Sequence, residues 1–191
     1  MKKRNIVIIG ISTGGPKTLR GFFDGLPLLD ASIVLVQHMT KCANKSLCGT
    51  LNKLTEMEVK IACHGENIKP GFVYFAPSEV HLELTNNKTI QLVNSPKVCF
   101  VRPSVDVTMK SARKTTADHI TGIIMTGMGK DGADGLNHIK SIGGVTFAQD
   151  ENTSVIWGMP KAAINTGKVD YVLSPEGIRN KLISQIGRLT S

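Results

Sequence analysis

Residues 5–16 read NIVIIGISTGGP: a short apolar run, then Ser12 among glycines, then a proline. Two kinds of loop share this outline. One cradles a phosphate at the start of a nucleotide-binding fold, and the other lifts a serine nucleophile out of a sheet. The rest of the chain decides between them.

Strand-length apolar runs recur, separated by segments with helical spacing. NIVIIG (5–10) precedes Leu19, Phe22, Phe23 and Leu26, which fall at i, i+3, i+4 and i+7. SIVLVQ (32–37) precedes a helical stretch around 43–54. ITGIIM (120–125) leads through TGMGKDG into a helix ending at Gly143-Gly144. VTFAQ (145–149) precedes MPKAAINTG, and VDYVL (169–173) precedes SPEGIRNKLISQIGRL. This alternation predicts an α/β fold, a doubly wound and mainly parallel sheet with helices on both faces. In the middle, VKIAC, GFVYFAP and HLELT-NNK-TIQLV read as antiparallel hairpins, with Asn86-Asn87 as turn residues. Residues 103–116 read as a helix with Pro103 near its N-terminus. Residues 1–191 are expected to form a single domain.

Composition narrows the function. No apolar stretch approaches the roughly 20 residues that span a bilayer, and MKKRNIVIIG lacks a cleavage-like region. No membrane insertion and a cytoplasmic location are expected. Cys42, Cys48, Cys63 and Cys99 lack metal or redox spacing, so free, mostly buried thiols and no metal are expected. The net charge of +8 favours an acidic partner. The basic residues are scattered, however, and six Phe, two Tyr and one Trp are too few for a base-stacking platform, so no nucleic acid is expected.

In open parallel α/β sheets, ligands bind beyond the carboxyl ends of the strands. Ser12 lies just past the first run, His38 follows SIVLVQ, and Asp131 sits in the turn after ITGIIM. On neighbouring strands these would be the parts of a hydrolytic triad: Ser12 as nucleophile, His38 as base, Asp131 fixing the imidazole. Residues 10–14 match G-x-S-x-G. The amides of Thr13 and Met128 are candidate donors to an oxyanion. Taken singly, Ser12 and Asp131 each also suit a helix cap and His38 a polar rim. The nucleotide reading is weaker. Ser12 occupies the second glycine position of the dinucleotide fingerprint, no Walker pattern exists, and Gln37-His38 stand where a ribose-binding acid belongs. No cofactor is expected. His81 could serve as an accessory if its hairpin folds over the crevice.

GISTGGP (10–16), VQHM (36–39), KPGFVYFAP (69–77), RPSVDV (102–107), TGMGKDG (126–132) and AQDENTSVIWGMPKAAI (148–164), in that order, resemble the catalytic domain of the bacterial chemotaxis protein-glutamate methylesterase family. The resemblance runs from about Ile6 to Leu173. It implies hydrolysis of glutamate methyl esters on chemoreceptors with release of methanol, and deamidation of certain glutamines. It also implies Ser12, His38 and Asp131 as the triad, Met128 as an oxyanion donor, and methylated receptor cytoplasmic helices as protein substrate. Thr40, Ser78, Glu79 and Val101 depart from the family's usual residues in loops expected to border the crevice. The family's receiver domain and linker are not in this sequence. The chain is therefore read as an excised domain or a stand-alone protein with a separate regulator, and as a monomer. A non-catalytic receptor- or partner-binding module of the same fold is the alternative.

Overall fold

The computed structural model describes residues 4–189. Two strand–helix units open the chain: β1 (Arg4–Ile11), α1 (Gly15–Phe23), β2 (Ala31–Gln37) and α2 (Lys41–Leu51). Next come β3 (Glu58–Ile61), β4 (Phe72–Phe75), β5 (His81–Leu84) and β6 (Ile90–Val93). α3 (Val105–Ser111) then leads into β7 (Asp118–Ile124), α4 (Ala133–Ser141), β8 (Val145–Gln149), α5 (Gly158–Ile164), β9 (Tyr171–Leu173) and α6 (Pro175–Ile186).

Seven strands form one parallel sheet in the order β3-β4-β2-β1-β7-β8-β9. Side chains alternate across a strand, so β1 feeds two cores. Val7, Ile9 and Ile11 face a layer that includes Phe22, Leu51 and Leu182 from α1, α2 and α6. Ile6 and Ile8 face the opposite layer with Met109, Ile139 and Met159 from α3, α4 and α5. Burial on both faces explains why these strands read as continuous apolar runs. The doubly wound architecture is as the sequence predicts.

The middle of the chain differs from expectation. Of the strands expected to form hairpins, β5 and β6 do so. β3 runs parallel to β4, and β4 parallel to β2, so VKIAC and GFVYFAP extend the main sheet. The reason is burial: Val73, Tyr74 and Phe75 are enclosed on both faces, which suits an interior parallel strand better than a half-solvated hairpin.

The helix expected over 103–116 is also shorter. It begins after Ser104, whose side chain accepts from the Val107 amide, and ends where Ala112 turns extended. The cysteines are free as expected, but only Cys48 is buried; Cys42, Cys63 and Cys99 are exposed on loops or helix surface. No described helix is long and apolar enough to cross a membrane.

Candidate active site

β2, β1 and β7 are adjacent, and β1 is where the chain switches from building one side of the sheet to building the other. Such switch points open a crevice at the carboxyl ends of the strands. Register makes the three ends level, with Ile11 opposite Gln37 and Gly10 opposite Ile124. Backbone bonds carry the pairing one step further: His38 N donates to Ile11 O at 3.1 Å and Ser12 N to Thr126 O at 2.9 Å. Ser12 and His38 thus leave neighbouring strands side by side.

Ser12 is not a helix cap. α1 is capped by Gly14 in the left-handed conformation, with no side-chain bond. Ser12 is half-buried, and its hydroxyl makes no hydrogen bond among the described residues. Its carbonyl, by contrast, is held by the Gln37 Nε2 donor at 3.0 Å and the Gly15 amide at 2.8 Å.

His38 and Asp131 are joined directly: His38 Nε2 donates to Asp131 Oδ2 at 2.8 Å. That bond commits Nε2 as the donor to the carboxylate and leaves Nδ1 as the ring nitrogen not engaged by Asp131. Asp131 does not cap the helix that follows it, since Gly132 (φ 94°) holds that position. Its carboxylate sits instead at the start of α3. Oδ1 accepts from the Ser104 hydroxyl at 2.7 Å and the Asp106 amide at 3.1 Å, and Oδ2 also accepts from the Val105 amide at 2.7 Å. Burial pushes this carboxyl up, but bonds from His38, Ser104, Val105 and Asp106 outweigh it and hold the group below the usual carboxylate range. Asp106 shows the opposite balance. Burial raises it, the Gly135 amide only partly offsets that, and the neighbouring Asp131 charge adds to the rise.

α3 can reach this position because Gly10 has no side chain: a Cβ there would lie 2.4 Å from Val105 Cγ1. The RPSVDV stretch therefore supplies donors that the strand-end reading missed. The signal available in sequence was Ser104 directly before a helical run, a cap pattern, but nothing local shows that the cap also receives Asp131.

The two expected oxyanion donors are aimed by what precedes them. A trans peptide points its carbonyl and its N–H in opposite directions. Gln37 and Gly15 grip Ser12 O, so the Thr13 amide faces the other way. Gly158 N and Met159 N grip Gly127 O at 3.1 and 2.8 Å, which orients the Met128 amide likewise. Neither amide donates to a protein acceptor among the described residues. Met128 as a residue is 77% exposed, and the fold holds it through the Gly127–Met128 peptide.

Beside His38 lies an open cleft of about 660 Å³, whose walls include Met39, Glu79, Lys97, Phe100 and Arg102. The turn carrying Phe100 is tight: Val98 and Val101 exchange both backbone bonds around Cys99 and Phe100. Both turn residues have positive φ, at 50° and 65°.

His81 does not open onto the crevice; it is wholly buried against α3. His64 accepts from the Leu92 amide, His138 donates to Ala112 O, and exposed His119 lies on β7 away from its carboxyl end. Ligand atoms of Cys99, Asp106 and Asp131 lie within 4.8 Å of one another. Each Asp131 oxygen already accepts two hydrogen bonds, so a cation there would have to displace His38, the Ser104 hydroxyl or an α3 amide.

The CheB methylesterase family model matches residues 7–182. The chain is 44% identical over 185 residues to a protein-glutamate methylesterase/protein-glutamine glutaminase of Thermotoga maritima, covering 95% of this chain and 54% of that protein. A protein of the same name from Clostridium acetobutylicum is 43% identical over 178 residues, 93% of this chain and 52% of the relative. The chain thus spans about half the length of these relatives. The crystal structure of the Thermotoga maritima CheB methylesterase catalytic domain superposes with a TM-score of 0.91 at 43% identity, covering 97% of this chain and all of that one.

Proposed function

The chain belongs to the CheB methylesterase family, and from that premise we propose that it is a serine esterase hydrolysing glutamate methyl esters on chemoreceptors. The observation that carries this reading is the His38–Asp131 pair at 2.8 Å, set beside the Ser12 hydroxyl at the next strand end, which has no hydrogen-bond partner among the described residues.

In the proposed reaction, Ser12 Oγ attacks the ester carbonyl and His38 Nδ1 accepts its proton. Asp131 then faces an imidazolium and stabilises it across the Nε2 bond. The Thr13 and Met128 amides receive the charge that develops on the carbonyl oxygen. Methanol leaves with the proton from His38, forming an acyl-serine. Water, deprotonated by the same nitrogen, cleaves that ester to free the glutamate carboxylate and restore Ser12. A glutamine side chain would follow the same path with ammonia as leaving group, which accommodates the second activity in the relatives' name.

One chain supplies all three groups, so a monomer suffices. The substrate would be the cytoplasmic helices of methylated receptors, placing the enzyme in the cytoplasm, and any regulator would act from outside the site. Methanol release from a methylated receptor fragment tests the reading: the wild type should release it and Ser12→Ala should not. Equal release by both would overturn the assignment, and none by either would favour a non-catalytic module.

A further inference from the structure

His81 opens β5 with no exposed surface. Its ring is used on both sides. The Ser104 amide donates to Nδ1 at 3.1 Å, and Nε2 donates to Pro96 O at 2.9 Å. A backbone amide can only donate and a carbonyl can only accept, so these partners fix the Nε2–H tautomer.

Ser104 is the residue at which this bond matters. Its hydroxyl donates to Asp131 Oδ1 at 2.7 Å, and the next two amides bond the same carboxylate. α3 is tied to β5 at two further points, by Thr108 Oγ1 donating to Leu82 O at 2.7 Å and the Leu84 amide donating to Ser111 Oγ at 2.8 Å. Those two bonds hold the body of the helix. His81 alone among β5 residues holds its first, Asp131-facing end. The imidazole is also rigid, with its acceptor and donor on opposite sides of one ring, so it ties the 94–101 loop through Pro96 to the cap of α3.

We infer that His81 is a positioning residue for the esterase reaction, acting through Ser104 to keep three donors on Asp131 and thereby the His38 ring in register with Ser12. This rests on the proposed esterase reading. It also explains a buried histidine that the chemistry itself does not use.

Two substitutions separate the two ring nitrogens. In His81→Asn, a short amide can place its oxygen where Nδ1 accepts and gives up the Pro96 bond. In His81→Gln, the longer amide can reach Pro96 and gives up the Ser104 bond. The inference predicts that Gln lowers kcat for methanol release by about tenfold or more at similar KM, and that Asn restores most of it, even where the two variants melt at the same temperature.

A second readout does not depend on turnover. The low-field proton NMR resonance of His38 Nε2–H, hydrogen-bonded to Asp131, should persist in Asn and shift or broaden in Gln. Loss of activity that follows melting temperature, or equal kcat and equal His38 resonances in both variants, would overturn the inference. A wild type showing the resonance but releasing no methanol would instead overturn the esterase reading.

Discussion

Gly127 and Ser12 approach so closely that a Cβ on Gly127 would stand 2.8 Å from the Ser12 Cβ, and 2.3 Å from Met159 Sδ. Ser12, the proposed nucleophile, and the start of the loop carrying Met128, the proposed oxyanion donor, are therefore packed as one unit. Gly127→Ala should push Ser12 and the Met128 amide apart. Displacement of about 1 Å can cost on the order of a hundredfold in rate, and overpacking about 1–3 kcal/mol in stability. Steady-state kinetics with a denaturation curve measures both. Wild-type turnover in this variant would show that the loop does not bear on catalysis.

The Asp131 and Asp106 carboxyls should respond to pH with opposite signs. Asp131 lies below its ordinary value when folded, so its contribution to stability is present above the unfolded pKa, about 3.9. It is lost as pH falls through the lower folded value. Asp106 is raised, so it favours the native state only at acid pH and opposes it once ionised. Asp131→Asn should therefore be destabilised most at neutral pH, with the deficit shrinking on acidification, and should lose about 10⁴-fold in kcat. Asp106→Asn keeps an acceptor for the Gly135 amide and should be more stable than wild type at neutral pH, with the gain vanishing at acid pH. Urea midpoints across pH 3–7, roughly bracketing the ordinary carboxyl pKa, check both signs.

Ser104 caps α3 and donates to Asp131 with one side chain. Ser104→Ala should cost about 0.5–2 kcal/mol from the cap and also lower kcat, because a charged acceptor loses a donor. Ser104→Thr retains the hydroxyl and should recover both. A stability loss without any change in kcat would confine Ser104 to the helix.

The turn at Cys99-Phe100 holds two non-glycine residues in the left-handed region, and Phe100 is 95% exposed. Two-residue hairpin turns with positive φ at both positions favour Asn-Gly. Replacing Cys99-Phe100 by Asn-Gly should raise stability by about 1 kcal/mol or more by relieving that strain. Turnover of a small soluble ester should stay unchanged, while KM for a receptor fragment should rise through loss of the aromatic wall beside His38. Thermal denaturation and the two KM values separate these effects.

The strands were legible because burial on both faces writes long apolar runs into β1, β2 and β7, and strand-end position then singles out Ser12, His38 and Asp131. Residues whose roles depend on non-local approach were not. VKIAC and GFVYFAP do pair with each other, but in parallel and within the main sheet, because burial of GFVYFAP on both faces makes it an interior strand. Ser104 reads locally as a cap; its bond to Asp131 spans 27 positions. Gln37 reads as the last strand residue, although its side chain orients the Thr13 peptide through Ser12 O. The direction of the His38 ring, with Nε2 toward Asp131, is also set by tertiary packing rather than by spacing.

The covalent step gives the most direct test. The protein would be mixed with a p-nitrophenyl ester, quenched with acid during the first turnover, digested, and its peptides weighed by mass spectrometry. The acyl group should appear on the peptide containing Ser12 in the wild type, and should fail to accumulate in His38→Ala. Ester hydrolysis with no acyl group on Ser12, or with the acyl group on another residue, would contradict a mechanism in which this hydroxyl, His38 and Asp131 act together.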